Sequence, residues 1–310
     1  MKLLLLIFCL ISSAFAIVFH NENEPFDEKG IKVVSLKKGK TKHFISLRNA
    51  FVERNPGYDL DYVHQSKKIK ATNQYRLAFI QEGEGKLAIG DQSSDFSVGD
   101  IIYLDKGETL KSEQNLSALI FIVPDALPEE VPAFIRPDWD PNITDIPGGC
   151  ATERNAYRRI LLTWEDKVGT YLYHALNAHR VRIMDSFTHY HPVEGGFDEF
   201  YLVQMVLPEA RLITSNQVDL IEQPETIGQD QAQNLLDSTP LEVGDLVYIP
   251  RGVAHRGLGG VLTQVITVPG FIPGSEIGID HHLHAIREKF SLSEDQLPLN
   301  LEASTKAVIK

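Results

Sequence analysis

Most of this chain is written in short apolar runs separated by Gly, Pro, Asp and Asn. Leu77–Ile80, Ile101–Leu104, Phe200–Val203, Leu246–Ile249 and Val265–Val268 are examples. Runs of this length, rich in Val, Ile, Phe and Tyr and bounded by turn formers, predict β-strands. Many of them at close spacing predict a sandwich or barrel. Helical periodicity is scarce. Ile279, Leu283, Ile286 and Phe290 share one face and predict a helix over Asp280–Phe290, with a loose tail after Ser291. At the other end, Lys2 precedes the apolar run Leu3–Ile11 and the small-residue end Ala14-Phe15-Ala16. That order predicts a secretory signal cut after Ala16. Nine apolar residues are too few to span a bilayer core of about 30 Å.

The chain repeats itself. Val98-Gly-Asp-Ile-Ile-Tyr-Leu-Asp-Lys-Gly107 aligns with Val243-Gly-Asp-Leu-Val-Tyr-Ile-Pro-Arg-Gly252 at an offset of 145, and Ile122-Val123-Pro124 aligns with Thr267-Val268-Pro269 at the same offset. A third block, Leu77–Gln81 against Phe200–Gln204, stands at 123. The second copy is therefore longer by 22 residues, the difference of the two offsets. The extra length falls in the polar stretch from Ser215 to Ser238, which reads as a loop. Six prolines between Pro124 and Pro147 mark the segment between the copies as a linker, because Pro removes backbone donors and fixes φ.

Chemistry concentrates in the second copy: His189-Tyr190-His191, then Glu199, then Gly244 to Pro250-Arg251-Gly252 and on to His255. On a strand, residues two apart share a face, so His189 and His191 send two imidazoles to one side. Three imidazoles and a carboxylate suit Mn, Fe, Ni or Zn and leave octahedral positions open. The His-x-His, Glu and Gly-x5-Pro-x-Gly-x2-His pattern resembles the cupin superfamily, and the repeat resembles a bicupin, over most of residues 40–275.

The resemblance implies an all-β fold of two cupin (double-stranded β-helix, jelly-roll) barrels in tandem with a short C-terminal helix. Its parts would be a signal at 1–16, a degenerate first barrel at 17–124, a linker at 125–158, a metal-binding barrel at 159–275 and a helix with tail at 276–310. The resemblance also implies metal ligands His189, His191, Glu199 and His255. Two departures stand out. Seven residues separate His191 from Glu199, more than the family pattern, which makes Glu194 a rival ligand. The glycine closing the first motif is absent, with Val206 near its place. The first copy has Leu110 for His255, Asp105 for Pro250 and Arg76 for Glu199; it is expected to bind no metal.

Glu199 and Tyr201 are the candidate catalytic residues. Tyr201 and Val203 share the face of Glu199, and Phe187 shares that of His189, so all three should line the pocket. Tyr201 could equally be core filling. Arg251 reads as an exposed turn residue or a rim group for an anionic substrate. His64 reads as a surface residue, and His281, His282 and His284 as a solvated helix face.

The formal charge is −12 over 310 residues, and −13 once Lys2 leaves with the signal. Such a surface repels nucleic acid and anionic membranes. Cys9 lies in the signal, so Cys150 stands alone in the mature chain and no internal disulfide is expected. Asn115-Leu-Ser117 and Asn142-Ile-Thr144 are acceptor sequons that fit secretion. Resemblance to germin-like, oxalate-converting and dioxygenase cupins implies a secreted metal-dependent oxidoreductase on a small organic substrate, with Mn or Fe preferred over Zn or Ni. Redox-neutral lyases, isomerases and decarboxylases use the same ligands, and non-catalytic binding or storage proteins use the same barrel. Cupins often pair, which makes a homodimer the expected assembly.

Overall fold

The structure is a computed structural model that describes residues 30–146, 148 and 157–310. The signal segment 1–16 and Cys150 lie outside the described residues. In the first half, β1 (Lys32–Ser35) leads to α1 (Lys42–Arg54), then β2 (Asp59–Ile69), β3 (Tyr75–Glu82), β4 (Gly85–Ile89), β5 (Gln92–Phe96), β6 (Ile101–Leu104), β7 (Leu110–Val123) and β8 (Phe134–Ile135). The second half runs β9 (Arg158–Leu162), β10 (Asn177–Asp185), β11 (His189–Tyr190), β12 (Asp198–Val206), β13 (Arg211–Ser215), α2 (Val218–Ile221), α3 (Gln229–Ala232), β14 (Asp237–Pro240), β15 (Asp245–Ile249) and β16 (Ala254–Val268). It closes with β17 (Ile277–Gly278), α4 (Asp280–Phe290) and β18 (Val308–Ile309).

Two sheets of seven and eleven strands form the two barrels. Their registers reproduce the sequence repeat. Leu77 stands opposite Tyr103 and Phe121 in the first, and Phe200 stands opposite Tyr248 and Ile266 in the second. Alternation then sorts each strand into two faces. One face fills its own barrel: Ala78, Ile80, Ile102 and Ile120 in the first, Tyr201, Val203, Val247 and Val265 in the second. The other face joins the barrels. Leu77, Phe79, Ile101 and Phe121 pack in one core with Phe200, Leu202, Leu246 and Ile266, so equivalent sheets meet back to back. Phe200 sits at the junction, its ring 5.0 Å from Phe51 and 5.3 Å from Phe121.

The halves also exchange elements. Lys32–Ser35, grouped with the first barrel by the sequence, instead adds β1 to β15 of the second. β8 lies in the Pro-rich linker and pairs with β6 of the first barrel. The expected loop after Ser215 holds α2 and α3, whose Val218, Ile221 and Ala232 pack with Leu283 and Ile286 of α4. The tail is not loose: Leu297 and Leu299 are buried in that same cluster, and β18 pairs with β17. No helix among the described residues is long and apolar enough to cross a membrane.

Candidate metal centre

β11 is two residues long, and its position is fixed from both sides. Main-chain pairing sets His189 opposite His255 of β16 and Gly278 of β17. The preceding Thr188 donates its N–H and hydroxyl to the two carboxylate oxygens of Asp280, at 2.6 and 2.7 Å. Asp280 opens α4, so the C-terminal helix is tied to the strand that carries the first imidazole. The spacer after His191 folds back as a tight turn. A Cβ on Gly196 would lie 2.2 Å from the Pro192 carbonyl, so only glycine closes that turn.

His189, His191, Glu199 and His255 come together, each at most 1% exposed, with one ligand atom from each lying within 4.8 Å of the others. His255 Nε2 is 3.3 Å from Glu199 Oε1, and His191 Nε2 is 3.8 Å from Glu199 Oε2. Ligands about 2.1 Å from a shared cation stand about 3 to 4 Å apart, so these separations fit one ion. Orientation follows from the main chain. His189 Nδ1 faces the Phe187 carbonyl at 3.1 Å and His255 Nδ1 faces the Val253 carbonyl at 3.2 Å. A carbonyl only accepts, so each Nδ1 carries the proton and each Nε2 presents its lone pair inward, the usual outer support of a ligating imidazole.

The chemistry of the donor set fits a cation. His189 Nε2, His191 Nε2, His255 Nε2 and Glu199 Oε1 are buried without a hydrogen-bond partner, each a cost of about 1–3 kcal/mol if left unmet. A single divalent ion would satisfy all four. Burial, followed by the charge of His255, pushes His189 well below its ordinary value; burial and the charges of His255 and His189 do the same to His191. Both are neutral ligands at neutral pH. Phe187 stacks on His189 at 4.5 Å between ring centroids, Phe197 lies tilted against His191 at 3.9 Å, and Phe271 lies 5.3 Å beyond Phe197, which makes the surroundings dry.

Glu199 is set by its neighbour. Asp198, fully buried, accepts hydrogen bonds from Asn55 Nδ2, Tyr248 Oη and both the backbone N–H and Nε of Arg251, at 2.7 to 2.9 Å. Burial opposes its charge, but these bonds outweigh burial and hold the carboxyl below its ordinary value. Arg251 is thus neither a free turn residue nor a rim group: it clasps Asp198, and its Nη2 reaches Asn55 Oδ1 at 2.7 Å. Glu194, the rival carboxylate, is exposed and outside the cluster. Tyr201 and Val203 lie below Glu199, fully buried in the barrel core.

The first barrel has replaced the centre with a side chain. Arg76 stands opposite Leu104 and Ile122, as Glu199 stands opposite Ile249 and Thr267. Its guanidinium is buried and donates to the Lys70 and Glu108 carbonyls at 2.6 and 2.9 Å. Glu108 is the repeat equivalent of Val253, whose carbonyl orients His255. A covalent cation therefore uses a carbonyl whose counterpart in the second barrel orients His255 of the cluster. His281 and His282 touch on α4, ring centroids 3.9 Å apart, yet join no third ligand among the described residues.

Sequence reasoning named the four residues that the structure brings together, His189, His191, Glu199 and His255, but missed Asp198, Asn55 and Asp280. Only the adjacency of Asp198 to Glu199 offered a signal.

No protein-family model matches the chain, and no curated protein matches it. Solved structures do. Procruciferin, the 11S globulin of Brassica napus, aligns at 11% identity and TM-score 0.51 over 89% of this chain and 92% of its own. Oxalate decarboxylase from Bacillus subtilis aligns at 11% identity and TM-score 0.46 over 90% and 83%. A cupin 2 conserved barrel domain protein from Leptotrichia buccalis aligns at 12% and 0.41 over 69% and 85%.

Proposed function

We propose that this chain, a bicupin by fold, is a secreted metal-dependent oxidoreductase that acts with dioxygen on a small organic molecule. The observation that carries the reading is the convergence of three imidazoles and one carboxylate, all buried, each with a ligand atom that has no hydrogen-bond partner. His189, His191, Glu199 and His255 would hold the ion, with Mn or Fe the expected metals. When bound, such a metal supplies Lewis acidity and open positions where small molecules bind.

The rest of the work falls to the protein. The Phe187 and Val253 carbonyls hold two imidazoles in the ligating tautomer. The Asp198 clasp fixes the strand end from which Glu199 reaches the centre, and Glu199 lowers the net charge there. Phe187, Phe197 and Phe271 exclude bulk water, which strengthens electrostatic interactions inside and protects reactive species from hydrolysis. Tyr201, two residues beyond Glu199 on the same strand face, is the proposed hydrogen-bond donor to substrate. The basic-apolar-small order of residues 1–16 supports export, and the acidic mature chain fits a small-molecule substrate rather than nucleic acid or an anionic membrane.

The test is metal analysis of the purified protein, followed by oxygen-electrode assays against a panel of small organic acids and phenols. One transition metal per chain and substrate-dependent oxygen uptake, both lost in His191→Ala, are expected. Full activity after metal stripping would sink the metal reading. Equal turnover in anaerobic buffer would sink the redox assignment alone.

A further inference from the structure

We infer that Glu276 is a further residue of this site: a carboxylate held beside the metal's open positions, together with Lys310, by the C-terminal strand β18. This rests on the metal reading above. The placement follows from register. β17 sets Gly278 opposite His189 and Ile277 opposite Tyr190. Continued by one residue, the same register sets Glu276 opposite His191, and alternation puts it on the face that carries both imidazoles. β18 then sets Val308 opposite Gly278 and Ile309 opposite Ile277. Glu276 and Lys310 exchange both main-chain hydrogen bonds, at 3.0 and 3.1 Å. Residues that exchange both bonds are directly opposed, with side chains on one face. On that extension, one residue past the paired strands, a row reads Lys310, Glu276, His191. The next reads Val308, Gly278, His189, His255.

Independent features agree with that placement. Glu276 is only 9% exposed; burial, followed by the charge of Glu199, pushes its carboxyl up to about 7, against the opposing charges of Lys310, His255 and Arg158. The Lys310 ammonium lies 4.3 Å from the centroid of Phe187, the ring stacked on His189. Gly278 makes room for the arrangement: a Cβ there would stand 3.0 Å from Val308 Cβ and 3.2 Å from Phe187 Cδ2. Glu276 is not among the four converging ligands, so its role is toward the molecule that the metal binds. A carboxylate there accepts from an O–H or N–H, and the ammonium favours negative charge. Together they select a small oxyanion that also carries a hydrogen-bond donor, such as a hydroxy acid.

The experiment uses the full chain loaded with Co(II) and titrated with azide, an anion without a donor, at pH 8.5, above the raised value of Glu276, followed by visible absorption. Glu276→Gln removes a repelling charge and should tighten azide by about three- to tenfold; Lys310→Met removes an attracting one and should weaken it by a similar factor. Lys310→Arg should restore wild-type affinity. Opposite shifts at one Co(II) per chain are a signature that a merely structural role would not give. Unchanged affinities, shifts of the same sign, or loss of Co(II) from Glu276→Gln would overturn the placement. A wild-type chain that takes up no Co(II) would overturn the metal reading itself.

Discussion

Replacing Asp198 tests how the two halves of the molecule cooperate in one site. Its carboxylate receives donors from three places: Asn55 at the end of α1, Tyr248 on β15, and Arg251 in the turn before His255. Asp198→Ala would strand the Tyr248 hydroxyl, one of the two Asn55 amide N–H groups (the other stays on the Phe51 carbonyl) and the Arg251 N–H, all buried or nearly so, at about 1–3 kcal/mol each. It would also leave Arg251, 17% exposed at the side chain, without its partner, and breaking a buried pair by one end costs about 3–5 kcal/mol. These contributions overlap, so the expected loss is about 4–6 kcal/mol, comparable with the whole margin of a small domain. Asp198→Asn keeps the shape and one acceptor and should lose about half as much. Urea unfolding of the metal-free protein measures this. Chelator competition on the loaded protein should show metal affinity 10–100-fold weaker in Asp198→Asn, the usual scale for an outer support of a ligand. A loss below about 1 kcal/mol in Asp198→Ala with unchanged affinity would refute the clasp.

Three further outcomes follow from the same geometry. In the metal-free chain, His189 and His191 lie well below 6.5 when folded, so below that pH the unfolded state binds more protons. Stability should fall as pH drops from 6.5, by about 1.4 kcal/mol per unit for each histidine, and urea midpoints of a His189→Gln/His191→Gln variant should lose that slope. Phe200→Ala empties the junction of the two barrels and should cost about 3–5 kcal/mol by the same assay, while metal stoichiometry stays at one. Arg76→Met should leave metal stoichiometry unchanged by elemental analysis, because the first barrel supplies no ligand set among the described residues; a rise to two would contradict that.

The repeat blocks were legible because strand alternation writes itself locally. Leu77 and Phe79 face the partner barrel while Ala78 and Ile80 face inward, and Phe200 to Val203 follow the same rule. The clustered residues were legible for the same reason, since a His-x-His pair needs only one strand to share a face. What escaped depends on partners distant in the chain. Asn55 reaches Asp198 across 143 residues, and no periodicity reports such a contact. β1 has four residues and no copy in the repeat, so nothing pointed to β15 as its neighbour. α2 and α3 are four residues each, barely a turn, too short to show a helical face; their Val218 and Ile221 are buried by α4 rather than by local pattern. Glu276 lies outside every motif and meets the site only through main-chain pairing.

The most direct test of the account is an anomalous-scattering map from crystals of the metal-loaded chain, collected at the absorption edge of the bound ion. One peak is predicted, about 2.0–2.3 Å from the Nε2 atoms of His189, His191 and His255 and from a Glu199 oxygen. A map with no peak at that point, or with its peak beside His281 and His282, would contradict it.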